Sequence, residues 1–117
     1  MKENVCVEKS FRFAVRIVNL QKYLVKEQKE YVLSKQVLRS GTSIGANVVE
    51  AQRGQSKADF TAKMSIALKE AYETEYWIRL LYHTSYIDKR AYLSIHQEIL
   101  ELIRLLVSIC KASNDHK

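Results

Sequence analysis

The chain has 117 residues, 47% of them hydrophobic and 27% charged, and carries a net charge of +6. This length suits one domain, since domains of about 100 to 150 residues are the most common, and we expect a single domain over residues 1–117. The balance of apolar and charged residues excludes a disordered chain. No apolar run reaches the ~20 residues of a membrane-spanning helix, and the N-terminal residues lack the apolar region of a signal peptide. We therefore expect a cytoplasmic protein that does not contact a membrane.

The positive charge is concentrated in the first third of the chain. Residues 1–39 carry nine Lys or Arg and four acidic residues, whereas residues 40–84 carry five of each and residues 85–117 carry five and four. Any anionic partner is therefore expected to bind near the N-terminal third.

Long helices are expected throughout, because the chain contains no Pro and only three Gly, the two residues that most often break a helix. The first helix is predicted over residues 7–29. At about 100° per residue, its apolar side chains share one arc, which we interpret as the buried face: Phe11, Phe13, Ala14, Ile17, Val18, Leu20, Leu24 and Val25. Its cations share the opposite arc, interrupted by Glu8: Lys9, Arg12, Arg16, Lys22, Lys26 and Lys29.

The second helix is predicted over residues 35–53, with Ser34 as its cap and Gly54 as its stop. Its buried positions recur at steps of three and four residues: Val37, Gly41, Ile44, Val48 and Ala51. Gly41 and Gly45 each cost about 1 kcal/mol in helix propensity relative to Ala, so some contact must offset them. We favour close approach of a neighbouring helix, and a phosphate or other ligand lying against the glycines is the alternative.

The third helix is predicted over residues 57–84, with Ser56 and Asp59 forming an approximate capping box. Its core face carries Phe60, Met64, Ala67, Ala71 and Ile78. A second apolar stripe lies well away from that face and consists of Ala58, Ala62, Tyr72, Tyr76 and Leu80. A helix that is apolar on two sides is usually buried on two sides. The second stripe therefore predicts self-association, and a broad intramolecular core is the alternative.

The fourth helix is predicted over residues 89–112, after a turn at residues 85–88. Its apolar residues form an unbroken seam like that of a coiled coil: Tyr92, Ile95, Ile99, Leu102, Leu106 and Ile109. Residues 114–117 carry no pattern and are expected to fray. Four helices with short loops predict an all-α, antiparallel up-down-up-down four-helix bundle.

No catalytic, metal or cofactor motif is present. The sequence has no Glu-x-x-His pair, HExxH, CxxC or phosphate-binding glycine loop, so we expect neither an enzyme nor a bound cofactor. Asn47 and Glu50 share a flank of the second helix and Glu75 faces the third helix's core side, where a structural role is favoured over that of a general base. Cys6 and Cys110 are expected to be reduced thiols, although the bundle topology brings them to the same end, where a disulfide is the alternative.

The basic face of the first helix has two interpretations. Lys and Arg at helical spacing neutralise phosphates and release counterions, which gives salt-sensitive, sequence-independent binding to RNA or DNA. A charged stripe also simply solvates an exposed helix, and the modest net charge leaves both interpretations open. The seven Tyr residues could stack on bases, but their positions favour core or interface roles.

Residues 39–81 resemble the signature of a bacterial four-helix-bundle family. The resemblance is carried by Arg39, Ser43, Ile44, Asn47, Glu50, Arg53 and Glu75, together with Ser56, Lys57, Phe60, Ile66, Ala67 and Trp77. The family is that of the large-subunit ribosomal RNA intervening-sequence proteins, which also includes the accessory variability determinants of diversity-generating retroelements. Many relatives carry Pro in place of Gly45 and Gly in place of Ala51, which indicates a subgroup.

This resemblance implies a four-helix protomer that assembles into a homopentamer with a positively charged surface. In the retroelement branch it further implies binding to nucleic acid and to a reverse transcriptase, while many other members are encoded within ribosomal RNA intervening sequences or stand alone. Two functions are therefore carried forward. The favoured one is a non-enzymatic, oligomeric nucleic-acid-binding protein, and the alternative is a protein-interaction adaptor for which nucleic-acid binding is incidental.

Overall fold

Four long helices make up the fold of this protein, seen here in a computed structural model that describes residues 1–115. In chain order they are α1 (Lys2–Lys26), α2 (Leu33–Gln52), α3 (Lys57–His83) and α4 (Lys89–Asp115). The predicted all-α fold is confirmed. The ends differ most in α1, which begins five residues earlier and ends three residues earlier than expected.

Contacts between neighbouring helices show that each helix runs antiparallel to the next. Ile17 and Ser10 of α1 lie against Gly41 and Gly45 of α2, so residue numbers rise on one helix as they fall on the other. Between α3 and α4, Glu75 contacts His96 and Thr61 contacts Ser113, which is the same pattern. The bundle measures 46 × 21 × 18 Å, and its up-down-up-down order brings the end of α1, the start of α2, the end of α3 and the start of α4 together.

The core is built mainly from the positions that the helical periodicity predicts. In α4 the expected seam is buried from Ile95 to Ile109, with Tyr92 half-buried. In α1 Phe13, Ile17 and Leu24 are buried, but the placement of Phe11 in the core is wrong, because its side chain is 68% exposed. Phe11 and Phe13 are two residues apart and hence about 200° apart around the helix, so both cannot face one core.

The glycines of α2 allow α1 to pack at very short range. A Cβ on Gly41 would lie 2.8 Å from Cγ1 and Cγ2 of Ile17, and a Cβ on Gly45 would lie 3.3 Å from the backbone oxygen of Ser10. Both glycines are buried. The interpretation of close helix approach is confirmed, and the alternative of a phosphate lying against the glycines is wrong because α1 occupies that space.

Two helix starts show one correct and one incorrect capping prediction. At α3, Ser56 Oγ accepts a hydrogen bond from the Asp59 N–H at 3.1 Å, as expected. Ser34 does not cap α2; its Oγ is buried and has no hydrogen-bond partner among the described residues. The carboxylate of Glu30 takes that place and accepts from the N–H groups of Val32, Leu33 and Ser34 at 3.2, 2.9 and 2.7 Å. Glu30 thus satisfies three donors that the start of a helix leaves unpaired.

The helix ends use positive φ angles at residues other than glycine. Ser85 has a φ of 71° and follows α3 in a Schellman motif, in which Tyr86 N–H donates to Leu81 O and Ser85 N–H donates to Tyr82 O. Gly54 does follow α2, but it has no positive φ. A Cβ there would lie 3.2 Å from Cβ of Asp59. Gly54 therefore allows α3 to approach closely, and it does not end α2 through a left-handed conformation.

The C-terminal residues are more regular than expected. Asn114 and Asp115 belong to α4, which therefore runs three residues beyond its predicted end at residue 112. The expected fraying at residues 116–117 lies outside the described residues. Within residues 1–115, no helix is long and apolar enough to span a membrane.

Cys6 and Cys110 are free thiols, both buried, at the end of the bundle where α1 begins and α4 finishes. Burial, followed by the nearby Cys110 and Glu3, raises the pKa of Cys6 to about 11. Burial also raises the pKa of Cys110, against a hydrogen bond with Ser65 that lowers it. The two thiols are therefore neighbours, as the topology predicts, and both are held in the protonated form.

Candidate nucleic-acid interface

The basic face predicted for α1 divides into a neutralised half and a free half. In the N-terminal half, Lys9 Nζ lies 3.5 Å from a carboxylate oxygen of Glu101. Arg16 pairs with Glu98, also on α4, and Arg12 pairs with Glu8 one turn earlier on α1. These three cations are thus balanced by carboxylates, and two of them help to hold α1 against α4.

The other three predicted phosphate contacts are free of such partners. Lys22, Lys26 and Lys29 are exposed and form no ion pair within the described part of the chain. Lys22 and Lys26 lie in the last turns of α1, and Lys29 follows in the loop with a φ of 55°. They therefore lie at the end of the bundle where α1 finishes.

Further cations join them because of the antiparallel topology. The starts of α2 and α4 lie at this same end and carry Lys35, Lys89 and Arg90, all exposed and without an ion pair in residues 1–115. We call the following set the basic end: Lys22, Lys26, Lys29, Lys35, Lys89 and Arg90. Three acids lie at the same end: Glu27 after α1, Glu30, which caps α2, and Asp88, which accepts from the Ala91 N–H at 2.8 Å. Six cations against three carboxylates leave this end with a surplus of positive charge.

Arg39, the first residue of the family-like signature, ties α2 to α3. Its guanidinium lies 3.2 Å from Glu70 and also pairs with Glu73, whose carboxylate accepts a hydrogen bond from Trp77 Nε1 at 3.2 Å. The hydrogen bond to Glu73 is the main cause that raises the pKa of Arg39. Burial opposes ionisation of Glu73, but hydrogen bonds from Trp77 and Arg39 lower its pKa below the usual value. Arg39 is thus committed to structure rather than to a phosphate.

The remaining α2 signature residues also make intramolecular contacts. Ser43 Oγ donates to the Arg39 carbonyl at 2.6 Å, and Asn47 Nδ2 donates to the Ser43 carbonyl at 2.8 Å. Ile44 is fully buried in the core. Glu50 lies 3.9 Å from Lys63 of α3, and Arg53 is the exposed residue that directly follows α2.

Glu75 sits in a polar pair on the α3–α4 seam. Its Oε2 is 2.8 Å from Nε2 of His96 and 3.8 Å from Nε of Arg79. The ring of His96 stacks on Tyr92, which in turn stacks on Tyr82. This arrangement satisfies a half-buried carboxylate. In the described residues no three His, Cys, Asp or Glu side chains come together in a group that could hold a metal ion.

Two apolar surfaces remain uncovered. The predicted stripe on α3, which we call the α3 stripe, is open to solvent: Tyr72 and Tyr76 are 52% and 53% exposed, Ala58 and Ala62 are exposed, and Leu80 is half-buried. The sequence did not reveal the second surface, a groove of about 540 Å³ between α1 and α2. Its lining includes Val7, Phe11, Ala14, Ala46 and Val49, and we call it the α1–α2 groove.

Comparison with known proteins identifies the family. Residues 2–108 match the profile of the family described as 23S rRNA-intervening sequence protein. The chain belongs to this family. The resemblance carried by residues 39–81 is confirmed, and the match extends over nearly the whole chain. No curated protein matches the sequence.

A solved structure supports the same assignment within the intervening-sequence family. The chain is similar to a crystal structure of a protein of unknown function from the S23 ribosomal protein family of Bacteroides thetaiotaomicron VPI-5482, with a TM-score of 0.93 and 61% identity. The match covers 95% of this chain and 99% of that chain. In this family member, then, Arg39 ties α2 to α3 and Glu75 ties α3 to α4, whereas Ser43 and Asn47 hydrogen-bond within α2.

Proposed function

We propose that this chain is a non-enzymatic nucleic-acid-binding protein that works as a homo-oligomer and contacts phosphates through its basic end. The observation that carries the proposal is the convergence of six exposed cations at one end of the bundle, from α1, the loop after it, α2 and α4. None of the six forms an ion pair with a residue that the structure describes. The family is described by an intervening sequence of 23S rRNA, so RNA is the first ligand to test. This contact surface differs from the one predicted from the sequence. It leaves out Lys9, Arg12 and Arg16 and adds Lys35, Lys89 and Arg90.

The charge arrangement suits phosphates because free cations release counterions when they bind nucleic acid. Each phosphate neutralised contributes about −0.7 to the slope of log affinity against log salt for a single strand. Cations already paired with carboxylates contribute less, because binding would first have to break the pair. The cations of the basic end are therefore expected to contribute more to nucleic-acid affinity than the cations held in the α1–α4 salt bridges.

Self-association would multiply this surface. A closed ring of like copies joins two different faces of the protomer at each contact, unless the assembly is a two-fold dimer. The chain offers two such faces, the α1–α2 groove and the α3 stripe, which lie apart because α1 and α3 do not contact each other. We propose that the ring is a pentamer, in which linked copies of a weak site raise the apparent affinity by about 10²-fold or more.

The test of nucleic-acid binding compares three charge-matched triple variants. Lys22, Lys26 and Lys29 are changed to Gln in the first, Lys9, Arg12 and Arg16 in the second, and Arg53, Arg104 and Lys111, exposed cations away from the basic end, in the third. Each removes the same charge. Affinity for short RNA and DNA is measured by fluorescence anisotropy between ~50 mM and ~0.2 M salt.

We expect the first variant to lose most of the binding and to reduce the salt slope by about 2, since three contacts disappear. The other two variants should bind nearly as the unchanged protein does. The proposal fails if the unchanged protein does not bind at ~50 mM salt, or if all three variants lose affinity equally.

The oligomer is tested by light scattering with Phe11→Ser and Tyr76→Ser. Both side chains are more than half exposed, so neither change should unfold the protomer, and each should reduce the solution mass toward that of a monomer. Val107→Ser on α4, also exposed, is the control and should leave the mass unchanged. A monomeric unchanged protein would refute this part of the proposal.

A protein-interaction adaptor, for example for a reverse transcriptase, is the second candidate function. It is favoured by the exposure of Phe11 in an apolar groove, because such a surface suits a protein partner better than a nucleic acid. A reverse transcriptase gene beside the coding sequence, together with co-purification of the two proteins that Phe11→Ser abolishes, would support it. An oligomer that forms without a partner and covers Phe11 would contradict it.

A further inference from the structure

A cleft runs along the α1–α4 side of the bundle and opens at the basic end. It consists of two adjoining cavities of about 370 and 480 Å³ that share Tyr23, Ile87 and Asp88. The first continues between α1 and α4 toward Arg16 and Asn19, and the second lies beside the α3–α4 turn. Three tyrosines line the pair: Tyr23, Tyr82 and Tyr86. We call the two cavities together the tyrosine cleft.

The tyrosines are held in position by the fold. Tyr82 stacks on Tyr92 with ring centroids 4.3 Å apart and planes 8° from parallel. Tyr86 follows directly on Ser85 in the Schellman turn, and its neighbour Ile87 is buried in the core. Tyr23 is 41% exposed, and its hydroxyl accepts a hydrogen bond from Gln28 Nε2 at 2.7 Å. A ligand that stacks on these rings would therefore meet surfaces that are already ordered.

Charges of both signs line the cleft. Asp88 lines both cavities, Lys89 lines the second, and Arg16 lines the first, where it pairs with Glu98. Lys22 and Lys26 lie on α1 near Tyr23 in the sequence. A phosphate is repelled by the carboxylate and attracted by the surrounding cations. A nucleobase is suited to the interior, because its faces stack on aromatic rings and its amino groups donate to a carboxylate.

We propose that the tyrosine cleft takes up one or two unstacked bases of a single-stranded nucleic acid while the basic end holds the adjoining phosphates. This inference rests on the proposed function and specifies its ligand as single-stranded. A duplex keeps its bases stacked inside the helix and offers only phosphates and groove edges. Stacking on aromatic side chains contributes about a 5- to 150-fold gain in affinity per base.

The experiment compares Tyr23→Leu and Tyr86→Leu with Tyr31→Leu. Tyr31 is the matched control, since it is 54% exposed in the loop at the same end but does not line the cleft. Each protein is titrated with three probes of equal length: a mixed-sequence single strand, the corresponding duplex, and an abasic strand with the same phosphates. Circular dichroism confirms that each variant is folded.

We expect the single strand to bind more tightly than the abasic strand, and each cleft substitution to weaken its binding by about 5-fold or more. The cleft variants should keep their affinity for the duplex and for the abasic strand, and their salt slope should not change. The control Tyr31→Leu should bind all three probes as the unchanged protein does. If the abasic strand and the duplex bind as well as the single strand, and the cleft variants bind like the control, the cleft is not a base site although the proposed function stands. If none of the three probes binds, the proposed function itself has failed.

Discussion

Gly41 gives the sharpest test of the packing described above, through substitution by alanine. The added Cβ would lie 2.8 Å from both γ carbons of Ile17 and 3.2 Å from its Cβ. These three atoms are the side-chain atoms nearest to the backbone of Ile17, which is β-branched and fully buried. Ile17 therefore cannot rotate out of the way. Overpacking of this kind costs about 1–3 kcal/mol, while the change from Gly to Ala in a helix returns about 1 kcal/mol.

Gly41→Ala should therefore lower the free energy of unfolding by up to about 2 kcal/mol, which corresponds to a decrease in Tm of up to about 8 °C for a chain of this size. Urea denaturation followed by circular dichroism measures the change at one fixed protein concentration, because self-association alters apparent stability. The m-value should stay constant. Gly45→Ala is the milder comparison, since its Cβ would contact a backbone oxygen at 3.3 Å.

A double-mutant cycle identifies the cause. In the Ile17→Ala background the γ carbons are absent, so Gly41→Ala should become stabilising by up to about 1 kcal/mol through helix propensity alone. The reasoning is refuted if Gly41→Ala stabilises the protein when Ile17 is present. It is equally refuted if the substitution costs the same free energy in both backgrounds.

Four further predictions concern the turns and the titratable groups. Ser85→Gly should raise stability by about 0.5–1 kcal/mol, because glycine adopts the positive φ without steric cost; a lower Tm would contradict this. Glu30→Ala should lower the free energy of unfolding by about 1 kcal/mol through loss of the α2 cap. Glu30→Gln keeps one acceptor oxygen and should lower it less, and urea denaturation measures both. Arg39→Gln should lower the free energy of unfolding by less than about 1 kcal/mol at neutral pH, through loss of the ion pair with Glu73. Since Glu73 titrates below its ordinary pKa of 4.5 in the fold, that difference should be present above pH 4.5 and disappear as the pH falls further; a difference independent of pH would count against the ion pair. Cys6, with a pKa of about 11 against an ordinary 9.0, stabilises the fold fully below pH 9.0 and progressively less as the pH rises toward 11. It should also react slowly with a disulfide reagent until urea unfolds the chain, and rapid reaction in the native protein would contradict its burial.

The regular parts of the fold follow from local patterns in the sequence. The three- and four-residue spacing of α4 places Ile95, Ile99 and Leu106 in the core because helix geometry alone determines which side chains share a face. The same spacing misplaces Phe11 when the apolar arc is drawn too wide. The Ser34 prediction failed for another reason: residue type indicates a cap, but the carboxylate of Glu30 reaches the same donors from outside the helix.

The candidate site depends on contacts between residues far apart in the chain. Arg16 looks free in the sequence of α1, and only the approach of α4 reveals its partner Glu98, 82 positions later. Tyr23 and Tyr86 share a cleft because two helix ends coincide, which no local pattern records. Lys22 and Lys26 could be predicted from sequence because their position on one helix was sufficient, and Lys29 follows them closely in the loop. Lys89 and Arg90 join them only through the topology of the bundle.

The short contacts at Gly41 and Gly45 also determine where α1 lies between its two neighbours. α1 is drawn against α2 there, and it packs least extensively against α4. A helix displaced toward one neighbour leaves space beside the other, and the tyrosine cleft occupies that space. Two missing methyl groups on one side of the bundle thus go together with an opening on its other side, so the packing of α1 against α2 and the space beside α4 are properties of one helix position.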